Sequence, residues 1–228
     1  LREIEIDSDS TGQVGLCCYF AANPGDRALA SLRAALLRTP IVALRVRQAV
    51  SKKSRRDEQW DDAGEDMAQW QELYAAGEMC LRLQCPGGDG ETELNAMELA
   101  YLPGDFTQTH WQVNAALVAL ALDWLQPKSD ERALDLFSGI GNFSLPLARR
   151  VRSVEALEGD AGMTCRLTWN AARNRVQNIR ASTLNLMAES PVLPQADIAV
   201  IDPPRAGAKA VTAISACGST GDSAIRLS

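Results

Sequence analysis

The chain has 228 residues, 46% of them hydrophobic and 23% charged, and a formal net charge of −6. This composition can bury one good core or two modest ones, which excludes wholesale disorder; the negative balance excludes a protein that coats nucleic acid indiscriminately, though not a local basic surface. No apolar run reaches membrane-spanning length, LREIEIDSDS lacks the pattern of a secretory leader, and with Leu at position 1 the natural start is expected upstream.

Residues 1–106 read as a β-rich α+β domain. REIEI alternates, VGLCCYF is a short apolar strand, and DRALASLRAALLR has the three-to-four spacing of an amphipathic helix. Pro40 stops that helix and IVALRV follows as a strand. The basic-then-acidic run RQAVSKKSRRDEQWDDAGED reads as a solvated loop, its acids neutralising any phosphate-binding role of its bases. CLRLQCPGGDGETELNAMELAYLPGDF reads as two strands around a Pro/Gly-rich turn. The six cysteines, at 17, 18, 80, 85, 165 and 217, match neither zinc nor iron–sulfur spacing and are expected reduced, as in the cytoplasm; no metal site is expected. His110 is the only histidine, and its place before a helical pattern suggests a capping or surface residue rather than a catalyst.

From residue 107 helix and strand alternate. HWQVNAALVALALDWL is helical, RALDLF a strand, NFSLPLARR a helix, RSVEALE a strand and DAGMTCRLTWNAARN a helix. NIRASTLNL and ADIAVID are the third and fourth strands, and GAKAVTAISAC begins another helix. Such alternation predicts a doubly wound, mostly parallel sheet covered by helices, with ligands at the carboxyl ends of its strands. The expected domain runs from 107 to 217, with 218–228 as an irregular tail. With four strands written and later ones missing, one sheet edge is expected to lie open and the domain to be marginally stable.

The first of these strands ends in LDLFSGIGNF, where Gly139 and Gly141 permit a tight turn and close approach of a ligand. The second ends at Glu158, which can accept both ribose hydroxyls of a nucleoside, in NAD or S-adenosylmethionine equally. Two features separate these cofactors. The dinucleotide fingerprint needs a third glycine where Ser144 stands. IDPPR, at the end of the fourth strand, makes a rigid loop without N–H groups at Pro203 and Pro204, the kind of loop that holds a planar base beside a methyl donor.

LPGDFTQ, LDLFSGIGNFSLPLA, EALEGD, NAARN, LNL and IDPPRAG together resemble the RNA uracil-5-methyltransferases, in particular the branch acting on 23S ribosomal RNA. The resemblance implies a class I methyltransferase fold, S-adenosylmethionine as cofactor, ribosomal RNA as partner and 5-methyluridine as product. It implies cofactor contacts from Gln108, Phe137, Asn142, Glu158, Asn185 and Asp202, with Gly139 and Gly141 shaping the loop. Family members usually carry a preceding RNA-binding barrel and an iron–sulfur cluster, neither of which is expected within this chain. They also use a cysteine after a fifth strand, in an SCNP-like loop, to activate uracil by adding to C6. Cys217 precedes GST rather than NP, so it is expected to be a helical thiol rather than the nucleophile. The expectation is thus a fragment lacking catalytic cysteine and base, cut by a frameshift or truncation near Gly218; an intact reading frame in the encoding DNA would contradict that cause. The alternatives are a non-catalytic S-adenosylmethionine- or RNA-binding remnant, and an exocyclic-amine methyltransferase, which would carry an aromatic where Arg205 stands.

Overall fold

The computed structural model describes residues 1–22, 24–48, 71–84, 96–108, 110–187, 192–204 and 224–226. The basic-then-acidic run from residue 49 onward, the turn after Gln84, Arg205, the helix expected over 207–217, Cys85 and Cys217 lie outside them. The residues group into two compact units, Leu1–Leu81 with Ala100–Phe106, and Arg82–Leu99 with Thr107–Ser228.

In the first unit β1 (Glu3–Ser8), β2 (Val14–Phe20), β3 (Ile41–Gln48) and β4 (Gln71–Ala75) form a sheet in the order β1-β2-β3-β4. β1 and β2 make an antiparallel hairpin whose turn is fixed by Asp9: Oδ1 accepts from the backbone N–H of Thr11 and of Gln13, each at 2.8 Å. β2 and β3 are parallel, which demands a crossover, and α1 (Gly25–Leu36) supplies it. Its Leu29 and Leu36 pack on Cys18, Leu44 and Val46. β4 was not anticipated from sequence; it exists through its antiparallel pairing with β3, which overrides the weak strand preference of Gln, Glu and Ala in QELYA. β5 (Met79–Gln84) and β6 (Ala96–Tyr101) pair with each other. The LPGD turn that follows is pinned within the first unit: buried Arg45 donates from Nη1 to Pro103 O at 3.1 Å and to Asp105 Oδ1 at 2.9 Å.

The second unit holds α2 (Trp111–Leu125), β7 (Arg132–Leu136), α3 (Ser144–Ala148), β8 (Ser153–Glu158), α4 (Ala161–Arg173), β9 (Ile179–Thr183), β10 (Ile198–Ile201) and β11 (Ala224–Arg226). Their sheet runs β11-β10-β7-β8-β9, with β10, β7, β8 and β9 all parallel to one another. Leu134, Leu136, Leu157, Leu186 and Ala199 form the core on one face of it. His110 caps α2, Nδ1 accepting from Val113 N at 3.4 Å, and Gln126 closes the helix in the left-handed region ahead of Pro127. β11 corrects the expectation of an irregular tail over 218–228: Ala224–Arg226 runs antiparallel along β10, pairing Ile198 with Arg226 and Val200 with Ala224. Three residues are too few to show a periodicity, and an edge supplied by a neighbouring strand is a tertiary effect.

α4 ties the sheet to the glycine loop. Asn170, wholly buried on that helix, donates from Nδ2 to the carbonyl of Ile140 at 3.0 Å. Asn170→Ala removes this donor and leaves a buried carbonyl short of a partner, at an expected cost of about 1–3 kcal/mol. Urea unfolding measures it, and an unchanged midpoint would contradict this account of the loop.

Candidate functional site

The sheet order places a topological switch between β7 and β10, since β7 leads on to β8 on one side while β10 lies on the other. In open α/β sheets a crevice forms outside the carboxyl ends of strands at such a point. The ends of β7 and β10 are linked there by Asp202 N–H donating to Leu136 O at 3.4 Å. The ends of β7 and β8 are linked by Ser138 N–H to Leu157 O at 3.1 Å.

Immediately after β7 the chain turns sharply. Phe137 has φ 63°, a conformation unusual for a bulky side chain, followed by Gly139 at 54° and Gly141 at 103°. Phe137 tolerates this because its ring packs against the core beneath the strand ends. Gly141 N–H returns to Ser138 O at 2.9 Å, closing the turn.

Glu158 meets this loop at the end of β8. Its Oε2 accepts from Gly139 N–H at 2.9 Å and its Oε1 from Asp160 N–H at 2.9 Å. A carboxylate offers about four acceptor positions, so two such bonds hold the group in place and leave lone pairs for a ligand's hydroxyls. Asp160 in turn caps α4, Oδ1 accepting from Met163 N–H at 2.9 Å. The loop glycine, the acid and the helix start are therefore one connected unit.

The other residues named from sequence fall into two groups. Gln108 Nε2 donates to Asp202 Oδ2 at 3.4 Å, and burial raises the Asp202 carboxyl above its ordinary value while that bond pulls it down. Asn142, on the loop, exchanges two hydrogen bonds with Asn114 of α2, at 2.7 and 2.9 Å. Asn185 stands apart: it is exposed after β9, and its Oδ1 accepts from its neighbour Met187 N–H at 2.9 Å. Cys217 is outside the described residues.

Sequence reasoning missed Asp135 and Asn114. Asp135 is 1% exposed in the middle of β7, where its Oδ2 accepts from Ser144 Oγ at 2.5 Å and its Oδ1 has no partner. Burial, followed by the negative charges of Asp202 and Glu158 against the Ser144 bonds, pushes its carboxyl up to about 7. A carboxylate inside the apolar run RALDLF and an amide inside WQVNAALVALALDWL were the available signals. No group of three or more His, Cys, Asp or Glu among the described residues is arranged to hold a metal ion. No described helix is long and apolar enough to cross a membrane.

Residues 92–191 match the family model for tRNA (uracil-5-)-methyltransferase. The chain is 50% identical over 116 residues to the 23S rRNA (uracil(1939)-C(5))-methyltransferase RlmD of Pseudomonas fluorescens, covering 49% of this chain and 26% of that protein. It is 49% identical over 127 residues to the RlmD of Pseudomonas aeruginosa, covering 54% of this chain and 28% of that protein. The matches thus span about a quarter of the length of these curated relatives. Among solved structures, the Pyrococcus abyssi tRNA (uracil-54, C5)-methyltransferase in complex with S-adenosyl-L-homocysteine superposes with a TM-score of 0.58 at 17% identity, over 92% of this chain and 46% of that one. That likeness establishes the α/β methyltransferase fold, and the sequence matches bear out the resemblance to the RNA uracil-5-methyltransferases.

Proposed function

We propose that the second unit binds S-adenosylmethionine and that the chain is part of an enzyme that methylates C5 of a uridine in 23S ribosomal RNA. The observation that carries this reading is the Glu158 carboxylate bonded to the glycine loop at the switch point of the sheet. The named products of the sequence relatives support the RNA and the position methylated.

In this reading S-adenosylmethionine, when bound, supplies an electrophilic methyl group on a sulfonium. The chain's own residues position and enclose it. Glu158, already oriented by two N–H donors, accepts the ribose hydroxyls. Phe137 and Asn142 line the loop around the methionine portion, the latter steadied by Asn114. Asn185 turns from its local bond toward the adenine. Asp202, stiffened by the prolines that follow it and bonded to Gln108, faces the amino-acid end or the reacting base.

Uracil C5 becomes nucleophilic only when a thiolate adds at C6. Among the described cysteines, Cys17, Cys18 and Cys80 are buried in the first unit and Cys165 is exposed on α4, so none is given that role. The enzyme is read as working in the cytoplasm, where thiols stay reduced.

A competition experiment tests the cofactor assignment. The chain is expected to retain labelled S-adenosylmethionine and to release it to unlabelled S-adenosylhomocysteine but not to NAD. Displacement by NAD, or no retention by a folded sample, would sink it.

A further inference from the structure

The second unit carries a groove away from the cofactor crevice. It has a volume of about 420 Å³ and lies between the end of α4 and β9, the outermost strand of the sheet. The crevice sits at the carboxyl ends of the strands, whereas Ile179 of the groove opens β9 at its amino end. Leu167, Ala171, Val176 and Ile179 give it apolar walls, and Thr168 and Gln177 add polar groups. A mostly apolar cleft with a few hydrogen-bonding groups suits a planar base. Trp169 adjoins it, one helical turn before Ala172 of the lining. Trp169 is 45% exposed, and the Arg173 guanidinium lies 5.2 Å from its ring centroid. That guanidinium is held in place by two bonds to Glu98 Oε2, at 2.8 and 3.1 Å. An exposed aromatic ring beside an arginine is a stacking platform for a nucleobase.

Arg175 also lines the groove, and it closes α4 in an unusual way. Its N–H bonds Ala172 O at 3.0 Å and the next N–H, of Val176, bonds Ala171 O at 2.9 Å, a helix stop that favours glycine at this position. Arg175 stands there with φ 57°, a strain that glycine would avoid. It is exposed and forms no ion pair among the described residues. Arg180 is exposed too, its guanidinium 4.0 Å from Glu155. Asn178 ties this end to the turn before β8, donating from Nδ2 to Ala148 O at 2.7 Å and Val151 O at 3.1 Å, and that turn carries Arg149, Arg150 and Arg152. On a chain of net charge −6 these arginines gather into a local basic surface around the groove.

We propose that this groove is a second RNA contact, which holds an unpaired nucleotide of the substrate RNA outside the reacting uridine, its base against Trp169 and its phosphates on Arg175 and Arg180. This rests on the RNA reading above and adds to it a contact at the opposite end of the sheet from the cofactor. Bases stack on an aromatic ring whatever their sequence, so the groove grips single-stranded RNA and leaves the choice of uridine to the crevice.

Anisotropy of a labelled single-stranded oligouridylate, titrated with the whole chain over a salt series, reads the contact. Trp169→Ala should weaken binding about tenfold, and Trp169→Phe, which keeps a ring, by no more than about threefold. Arg175→Gly should lower the slope of log affinity against log salt by about 0.7 and raise the urea midpoint, since the left-handed strain goes with the side chain. Both Trp169→Ala and Arg175→Gly should bind S-adenosylhomocysteine as the wild type does.

Unchanged affinity in Trp169→Ala with an unchanged salt slope in Arg175→Gly would overturn this inference and leave the RNA reading standing. Loss of S-adenosylhomocysteine binding in either variant would show that the damage is not local and overturn it as well. Displacement of the RNA by poly-glutamate as readily as by unlabelled RNA would point to an acidic protein partner and overturn the assignment to a nucleotide. No RNA binding by folded wild type would overturn both readings together.

Discussion

Alanine at Gly141 is expected to destabilise the second unit by about 3 kcal/mol or more, while alanine at Gly139, two residues earlier, costs only about 1–2 kcal/mol. Both glycines have positive φ, but their surroundings differ. At Gly141 φ is 103°, and an added Cβ would lie 3.2 Å from Leu167 Cγ and in overlap with Leu145 Cδ1. Leu145 and Leu167 are fully buried, so neither can yield without disturbing α3 and α4. At Gly139 φ is 54°, within the ordinary left-handed region, and the nearest atom is Met163 Cε at 4.0 Å. The first substitution meets both strain and overpacking, the second only the left-handed penalty. Urea unfolding of the two variants side by side reads the difference. Equal destabilisation would mean the loop does not have the conformation described.

Asp135→Asn should have the opposite sign. Burial raises the folded-state carboxyl from its ordinary 3.8 to about 7. Between those values the folded protein holds a proton that the unfolded chain has lost, so stability falls as pH rises across the window. The cost is absent below about pH 4 and fully present above pH 7. The asparagine never ionises and keeps an oxygen to accept from Ser144. Without ligand it should match the wild type near pH 4 and exceed its stability at pH 8 by on the order of a few kcal/mol. Denaturant midpoints at the two pH values measure this. A variant less stable than wild type at pH 8 would show that the carboxylate is ionised and serves as an anchor for α3, contradicting the account.

Much of the second unit was legible because its signals are local. The alternation from RALDLF through ADIAVID gives β7 to β10 with their helices, and the glycines with Glu158 mark the crevice at the strand ends. What escaped depends on distant partners. β4 and β11 are strands because β3 and β10 present open edges to them, and neither QELYA nor AIR carries a period that says so. Asp135 escaped for a related reason. One acid in an apolar strand is visible, but that its second oxygen lacks a partner and that Glu158 and Asp202 bear on it follows only from the assembled sheet. The reciprocal pair of Asn114 and Asn142, 28 residues apart in sequence, is likewise a product of packing.

The central claim is that the Glu158 carboxylate, held by the glycine loop, takes the ribose of an adenosyl ligand. Calorimetric titration of the chain with S-adenosylhomocysteine, beside Glu158→Ala checked for retained folding, tests it most directly. Two charge-assisted hydrogen bonds to ribose are worth roughly 3–6 kcal/mol together, so the variant should bind at least about 100-fold more weakly than the wild type. Binding unaffected by the substitution, or none by folded wild-type protein, would contradict it.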